Sequence, residues 1–231
     1  MVMNARLLRP KKVGAPGFSP LAVLLTYGTT YTVPVGATTM KAWAVGSGGV
    51  GNNDTGIGFG GNAGGCAYKT WTVTGGSSVA YTTNAIIGFD FFSSTVTYGE
   101  TTIIGNGATL GSTNTPASFS GGDGGASGGL AAEIAYTNMC GGAVGGNGTP
   151  VEPCRRQPAT DISGLFAALT LAGVSTTETC AASAAFGSGG QDEKYGPTKT
   201  AGLGGGGVGN YQNWGLAGTP PGAGAVVLYF T

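Results

Sequence analysis

Few side chains of this 231-residue chain could do chemistry, and histidine is missing altogether. Without histidine there can be no Ser-His-Asp triad, no imidazole metal ligand and no imidazole proton shuttle. The ten acidic residues are scattered, and their spacing does not indicate a glycosidase-like pair of carboxylates. We therefore predict that the protein is not an enzyme and that it needs no metal or cofactor.

Four cysteines allow three disulfide pairings, and they lie at Cys66, Cys140, Cys154 and Cys180. Their spacing contains no CxxC pair and matches no zinc ribbon. Buried free thiols are expected for a protein made in a reducing cytoplasm, and one disulfide is the alternative. Cys140 and Cys154 would form it most easily, because they close the shortest loop.

The segment KAWAVGSGGVG, residues 41–51, contains a GxGxxG motif at Gly46, Gly48 and Gly51. In dinucleotide-binding folds this motif lies between a strand and a helix. Here the sequence NNDTG follows, which cannot supply that helix. The motif also recurs by chance in so glycine-rich a sequence, so no nucleotide site is predicted.

Aromatic residues in glycine-rich surroundings are better candidates for a binding surface. Flat side chains on a surface of low charge suit the recognition of sugars or proteins. The candidate receptor contacts are Phe59, Phe119, Tyr211 and Trp214, and Tyr195 has a similar setting. The alternative is that each ring fills a small core beneath its own loop.

Charge is sparse and unevenly placed, with 10 basic and 10 acidic residues in the whole chain. So few basic residues argue against nucleic-acid binding. Four of them lie in the first 12 residues, where there is no acidic residue: Arg6, Arg9, Lys11 and Lys12. Residues 1–27 are predicted to be an extended basic arm that anchors the protein on an acidic partner surface. A solvated tail is the alternative.

Residues 21–27 (LAVLLTY) form the most apolar stretch near the start of the chain. Seven residues are far fewer than the roughly 20 that a membrane-spanning helix needs, so membrane insertion is not predicted. An edge strand that packs on a partner is the expected structure.

The remaining apolar segments indicate a β protein. Residues 40–45 and 66–74 alternate as strands do, and residues 79–87, 89–98, 101–104 and 225–230 have strand-like composition. Residues 161–174 are the one good helix candidate, with Asp161 placed to cap it. We predict an all-β fold with an antiparallel sandwich or jelly-roll-like core, long glycine-rich loops and one short helix. Residues 28–231 would form this domain, with 130–200 as an insertion.

Glycine accounts for 48 residues, about three times its average share of near 7%. Four glycine-rich tracts, residues 46–65, 111–129, 141–148 and 202–209, interrupt the strands. Glycine loses the most backbone entropy on folding, but it allows backbones to approach closely. The tracts are therefore either ordered side by side, with polyglycine II packing, or mobile loops at one end of the β core.

Three segments of the chain are YTVPVGATTMKAWAVGSGGVG (31–51), GFGGNAGGCAYKTWTVTGGSSVAYTTNAIIG (58–88) and GGGGVGNYQNWGLAGTPPGAGAVVLYF (204–230). Together they resemble the glycine-rich domains of bacteriophage tail-fibre and adhesin proteins. This chain and those domains share the order strand, Pro-x-Gly, alternating strand, glycine tract and aromatic strand. The resemblance covers residues 31–110 and 202–231, and residues 130–200 depart from it.

The resemblance implies a virion structural protein, a homotrimer in many cases, made in the host cytoplasm and placed on the particle exterior. It would be a short fibre, spike or tail-tip component whose arm binds other virion proteins and whose glycine-rich loops are displayed. The alternatives are a module that binds a host receptor, either a glycan or a protein, and a capsid decoration protein. Binding loops would correspond to residues 46–65, 111–129 and 202–213.

Overall fold

The computed structural model describes residues 17–53, 58–83, 92–108, 115–131, 143–147, 159–176, 186–187, 201–207 and 221–231. Within these ranges two antiparallel sheets of five strands each form, together with a two-stranded ladder and one short helix. The predicted all-β sandwich with one short helix is confirmed. None of the helical residues in these ranges forms a segment long and apolar enough to cross a membrane.

Sheet A has its longest strands at its centre. In spatial order its strands are β1 (Leu21–Leu25), β12 (Ala225–Phe230), β3 (Thr39–Val45), β6 (Cys66–Thr72) and β11 (Gly124–Ala126). The predicted alternation of β3 is confirmed: Met40 and Ala42 face sheet B, whereas Trp43 and Val45 face the other way. Both faces of β3 are buried, because sheet A is covered on both sides.

Sheet B covers the inner face of sheet A. Its strands, in spatial order, are β10 (Phe119–Ser120), β9 (Thr101–Gly105), β8 (Ser94–Tyr98), β7 (Ser78–Thr82) and β2 (Thr30–Thr32). Its outer face is polar, and Thr97 and Thr102 hydrogen bond across neighbouring strands at 2.8 Å. One apolar and one polar face are what antiparallel sheets at a protein surface require.

The core between the sheets is aliphatic and aromatic. Its fully buried large side chains include Met40, Val79, Val96, Ile103, Leu228 and Phe230. Tyr31 closes one side by stacking on Phe230, with ring centroids 5.7 Å apart.

Helix α1 (Leu165–Leu171) covers the outer face of sheet A through Leu165, Ala168 and Leu169. Its position within residues 161–174 confirms the helix prediction. It begins only at Leu165 because Ser163 and Gly164 both have positive φ. The N-cap residue is Gly164 and not the predicted Asp161. The Asp161 carboxylate still accepts a hydrogen bond from the first-turn N–H of Phe166 at 2.9 Å.

Two segments differ in detail from their predictions. Residues 21–25, assigned to the arm, pair along β12 and contribute buried Ala22 to sheet A. The expected edge strand is therefore present, and the segment available for an arm precedes it. The sequence of residues 33–35, Val-Pro-Val, predicts a strand at a sheet edge. Strand β2 instead ends at Thr32 and a turn follows, because Pro34 has no N–H for a sheet hydrogen bond.

Candidate functional site

The described parts of the glycine tracts are packed side by side. Residues 46–51 and 60–65 are buried almost throughout, as are residues 204–207. They belong to neither sheet, yet their backbones hydrogen bond to one another at 2.7–3.0 Å. Of the two structures that the sequence left open, ordered packing is the one present in these residues. We call these segments, with residues 106–108, 127–129 and 221–224, the glycine bundle.

Hydrogen bonds in the glycine bundle run in more than two directions. A β-strand has two neighbours in its sheet, but residues 46–49 hydrogen bond to five other segments: residues 62–65, 92, 108, 207 and 222. Backbones bonded all around, in the manner of polyglycine II, need residues without side chains at the contacts. The glycine bundle therefore depends on glycine for its close packing.

Individual glycines show how tight this packing is. A Cβ added at Gly46 would overlap the carbonyl of Asn106, and one added at Gly48 would overlap the carbonyl of Gly205. These two glycines belong to the GxGxxG motif. Since backbone already fills the space beside them, no phosphate can approach, and the motif serves packing.

Two buried polar side chains connect segments of the glycine bundle. Ser47 Oγ accepts a hydrogen bond from the Phe92 N–H at 3.0 Å. Asn62 Oδ1 accepts one from the Ala131 N–H at 2.8 Å. Sequence reasoning missed both residues, although a polar residue enclosed by glycines is the signal that could have found them.

The glycine bundle lies at one end of the sandwich, which we call the tract end. Strand β3 runs into it at Gly46, and β6 and β12 leave it at Cys66 and Ala225. At the opposite end, the turn end, the chain enters β1 from residues 17–20, and Thr231 accepts hydrogen bonds from the N–H groups of Thr38 and Thr39. The molecule therefore has two structurally different ends.

Hydrogen-bond register shows which residues lie farthest from the sheets. Gly64 donates to Gly204 close to the sheets, and Gly61 donates to Gly207 three residues farther out. Segment 204–207 thus runs away from the sandwich. The chain between residues 207 and 221 consequently starts from the outer level of the glycine bundle.

One of the four predicted receptor contacts, Phe59, lies next to this outer level, two residues before Gly61. Phe59 belongs to β5 (Gly58–Phe59), which pairs with β4 (Asn52–Asn53) beyond residues 49–51. Trp214 and Tyr211 lie outside the described residues, in the segment that links Gly207 to residue 221. The buried glycines of residues 46–51, 60–65 and 202–207 offer no contact surface themselves.

Phe119 occupies a different place. It lies in β10 at the junction of sheet B and the glycine bundle, is half-buried, and packs on the core between the sheets with its ring against Gly125. The alternative of a ring that fills a core fits its surroundings. Arg6, Arg9, Lys11 and Lys12 lie outside the described residues and join the domain through residue 17, at the turn end.

The ionisable groups of the described residues show no converging acidic site. Asp123 accepts a hydrogen bond from the Thr70 N–H at 2.8 Å and pairs with Lys69 at 3.3 Å. These contacts, the backbone hydrogen bond above all, hold the pKa of Asp123 below its usual value. Asp123 thereby caps an N–H of β6 where its pairing with β11 stops.

Cys66 is a buried free thiol, as predicted, and burial raises its pKa. The predicted Cys140–Cys154 alternative concerns residues outside the described ranges, as does Cys180. Among the described residues, no cluster of three or more cysteine or acidic side chains could hold a metal ion.

Comparison with known proteins adds no family: no protein-family model matches this chain, and no curated protein matches it.

Proposed function

We propose that this protein is a virion structural protein, a short fibre, spike or tail-tip component. The observation that carries the proposal is its division into two ends. The chain enters the sandwich at the turn end, directly after the basic segment, and the glycine bundle projects from the other end. A protein that anchors at one end and displays segments at the other needs this arrangement.

The glycine bundle supports a mechanical role. A packed backbone has no long side chains to rearrange, and the hydrogen bonds between its segments are worth about 1 kcal/mol net each. Such a bundle holds the segments that leave it at fixed positions. Assembly as a homotrimer and a place on the particle exterior are parts of the same proposal.

Anchoring is tested by removing the basic charges of the arm. With Arg6, Arg9, Lys11 and Lys12 all changed to Gln, we expect incorporation into particles to fall at least about tenfold, because charge complementarity steers and holds such contacts. The measurement is the amount of protein that sediments with purified particles. The matched control removes four charges elsewhere, with Gln at Arg155, Arg156, Lys194 and Lys199.

The control variant should be incorporated like the parent. Equal incorporation of the arm variant and the parent would disprove anchoring by these residues. A capsid decoration protein would show the same dependence on the arm but would be distributed over the capsid in images of labelled particles.

Receptor binding is a second candidate, favoured by the attachment of residues 208–220 to Gly207, which lies at the outer level of the glycine bundle. We expect Trp214→Ala to lower adsorption of particles to host cells about tenfold, because aromatic contacts dominate many binding surfaces. Its incorporation into particles should equal that of the parent. Phe119→Leu is the control, since Phe119 packs on the core. Unchanged adsorption of the Trp214→Ala particles would remove this candidate.

A further inference from the structure

A cleft of about 320 Å³ lies on the outer face of sheet A, where α1 leaves the sheet partly uncovered. Its walls are Lys41 and Tyr229 from adjacent strands, and Ala167 and Leu171 from α1. Its size is at the lower end of the range of small-ligand sites. The cleft contains none of the candidate receptor contacts and belongs to none of the sites described above.

Lys41 gives the cleft a positive charge held in a fixed position. Its Nζ donates hydrogen bonds to the carbonyl oxygen of Ser163 at 2.6 Å and to Ser163 Oγ at 2.7 Å. It also lies 5.2 Å from the centre of the Trp43 ring and 5.0 Å from that of Tyr68. These aromatic faces attract the ammonium group without neutralising it.

Among the described residues, Lys41 has no ion-pair partner and makes no third hydrogen bond. The one ion pair in those residues joins Lys69 to Asp123. An ammonium group has three N–H donors, and the two hydrogen bonds of Lys41 both go to Ser163. A negatively charged acceptor in the cleft would take the remaining donor.

A second cavity of about 390 Å³ shares Ser163 with the cleft and is more polar. It is lined in part by Asn147, Thr160 and Asp161, whose side chains accept and donate hydrogen bonds to hydroxyl groups. Asp161 would repel a second negative charge there. The two cavities together therefore suit a ligand with one anionic group and several hydroxyls.

We propose that this cleft binds an acidic sugar of the hexuronic-acid class, with its carboxylate at Lys41 Nζ and its hydroxyls toward Ser163 and Asp161. The apolar face of the sugar ring lies against Tyr229 and Leu171. A neutral sugar leaves Lys41 without its acceptor, and a polyanion places charge beside Asp161. The site is on the flank of the sandwich, so the proposal is independent of anchoring and of the tract end.

The test is a titration of the full chain with glucuronate, in which the NMR signal of the Trp43 indole N–H is monitored. This group donates to the Ile162 carbonyl at 2.7 Å, directly beside Lys41 and Ser163. Trp71→Phe and Trp214→Phe variants assign the signal. We expect a saturable shift with glucuronate, a dissociation constant about tenfold weaker or more for glucose, and no competition by inorganic phosphate.

Lys41→Met keeps the aliphatic stem and removes the charge, and it should weaken glucuronate binding about tenfold or more. Lys41→Arg should restore most of the affinity. Lys69→Met is the control, because it removes an equal charge that is paired with Asp123. No saturable shift in the parent protein, or equal glucuronate affinity in the parent and a folded Lys41→Met variant, would overturn the proposal.

Discussion

Alanine at Gly61 should destabilise the protein by about 3 kcal/mol or more, although it adds one methyl group. The added Cβ would overlap the carbonyl oxygen of Gly49. That oxygen accepts a hydrogen bond from the Gly207 N–H at 3.0 Å, and Gly61 itself donates to the Gly207 carbonyl at 2.7 Å. The overlap forces the two backbones apart. This adds the cost of overpacking, typically about 1–3 kcal/mol, to the cost of buried groups that lose their hydrogen-bond partners, about 1–3 kcal/mol each.

The effect is steric, because Gly61 does not have a positive φ and alanine could adopt its backbone conformation. The measurement is the free energy of unfolding in urea at one protein concentration, so that any association affects all variants alike. Gly17→Ala is the control, since a Cβ there meets open space, and it should change stability by about 0.5 kcal/mol or less. A Gly61→Ala variant as stable as the parent would contradict close packing of the glycine bundle.

Alanine at Phe230 should destabilise the protein by about 3–5 kcal/mol, the usual range for a phenylalanine removed from a core. The Phe230 side chain is fully buried between the sheets, and its ring stacks on Tyr31. The sheets cannot close over the cavity, because β12 is paired on both sides, with β1 and with β3.

The same urea measurement serves for Phe230→Ala, and Val35→Ala is its control. Val35 is 89% exposed, so its truncation should change stability by about 0.5 kcal/mol or less. A double-mutant cycle with Tyr31→Ala should give a coupling of about 0.5–1.5 kcal/mol between the two rings. A loss below 1 kcal/mol for Phe230→Ala would show that this core is not packed as described.

Phe230→Ala and Gly61→Ala test two parts of the structure that differ in how far the sequence predicts them. Strand β12 was predictable, because AVVLYF is an apolar run with β-branched and aromatic residues. The faces of β3 followed from alternation, and α1 lies within the predicted residues 161–174. In each case a side chain has a type that prefers one environment, and a local pattern is sufficient to read it.

The glycine bundle was not predictable in this way, because glycine has no side chain and its tracts have no apolar period. Whether they would pack or remain mobile depended on hydrogen bonds such as that from Gly61 to Gly207, between residues far apart in the chain. The position of Phe119 was likewise not predictable from a local pattern. Its aromatic type suits a surface or a core, and the junction with Gly125 put it against the core.

The amino-acid sequence alone was sufficient to predict the β class and the short helix. It also established the lack of imidazole chemistry and the basic charge before residue 17. Folding alone brought Lys41 to Ser163 across 122 positions and separated the turn end from the tract end. The physical reason is that side-chain preference acts over a few neighbouring residues. Cavities, backbone packing without side chains and the relative placement of two ends arise from contacts between segments that no short stretch of sequence specifies.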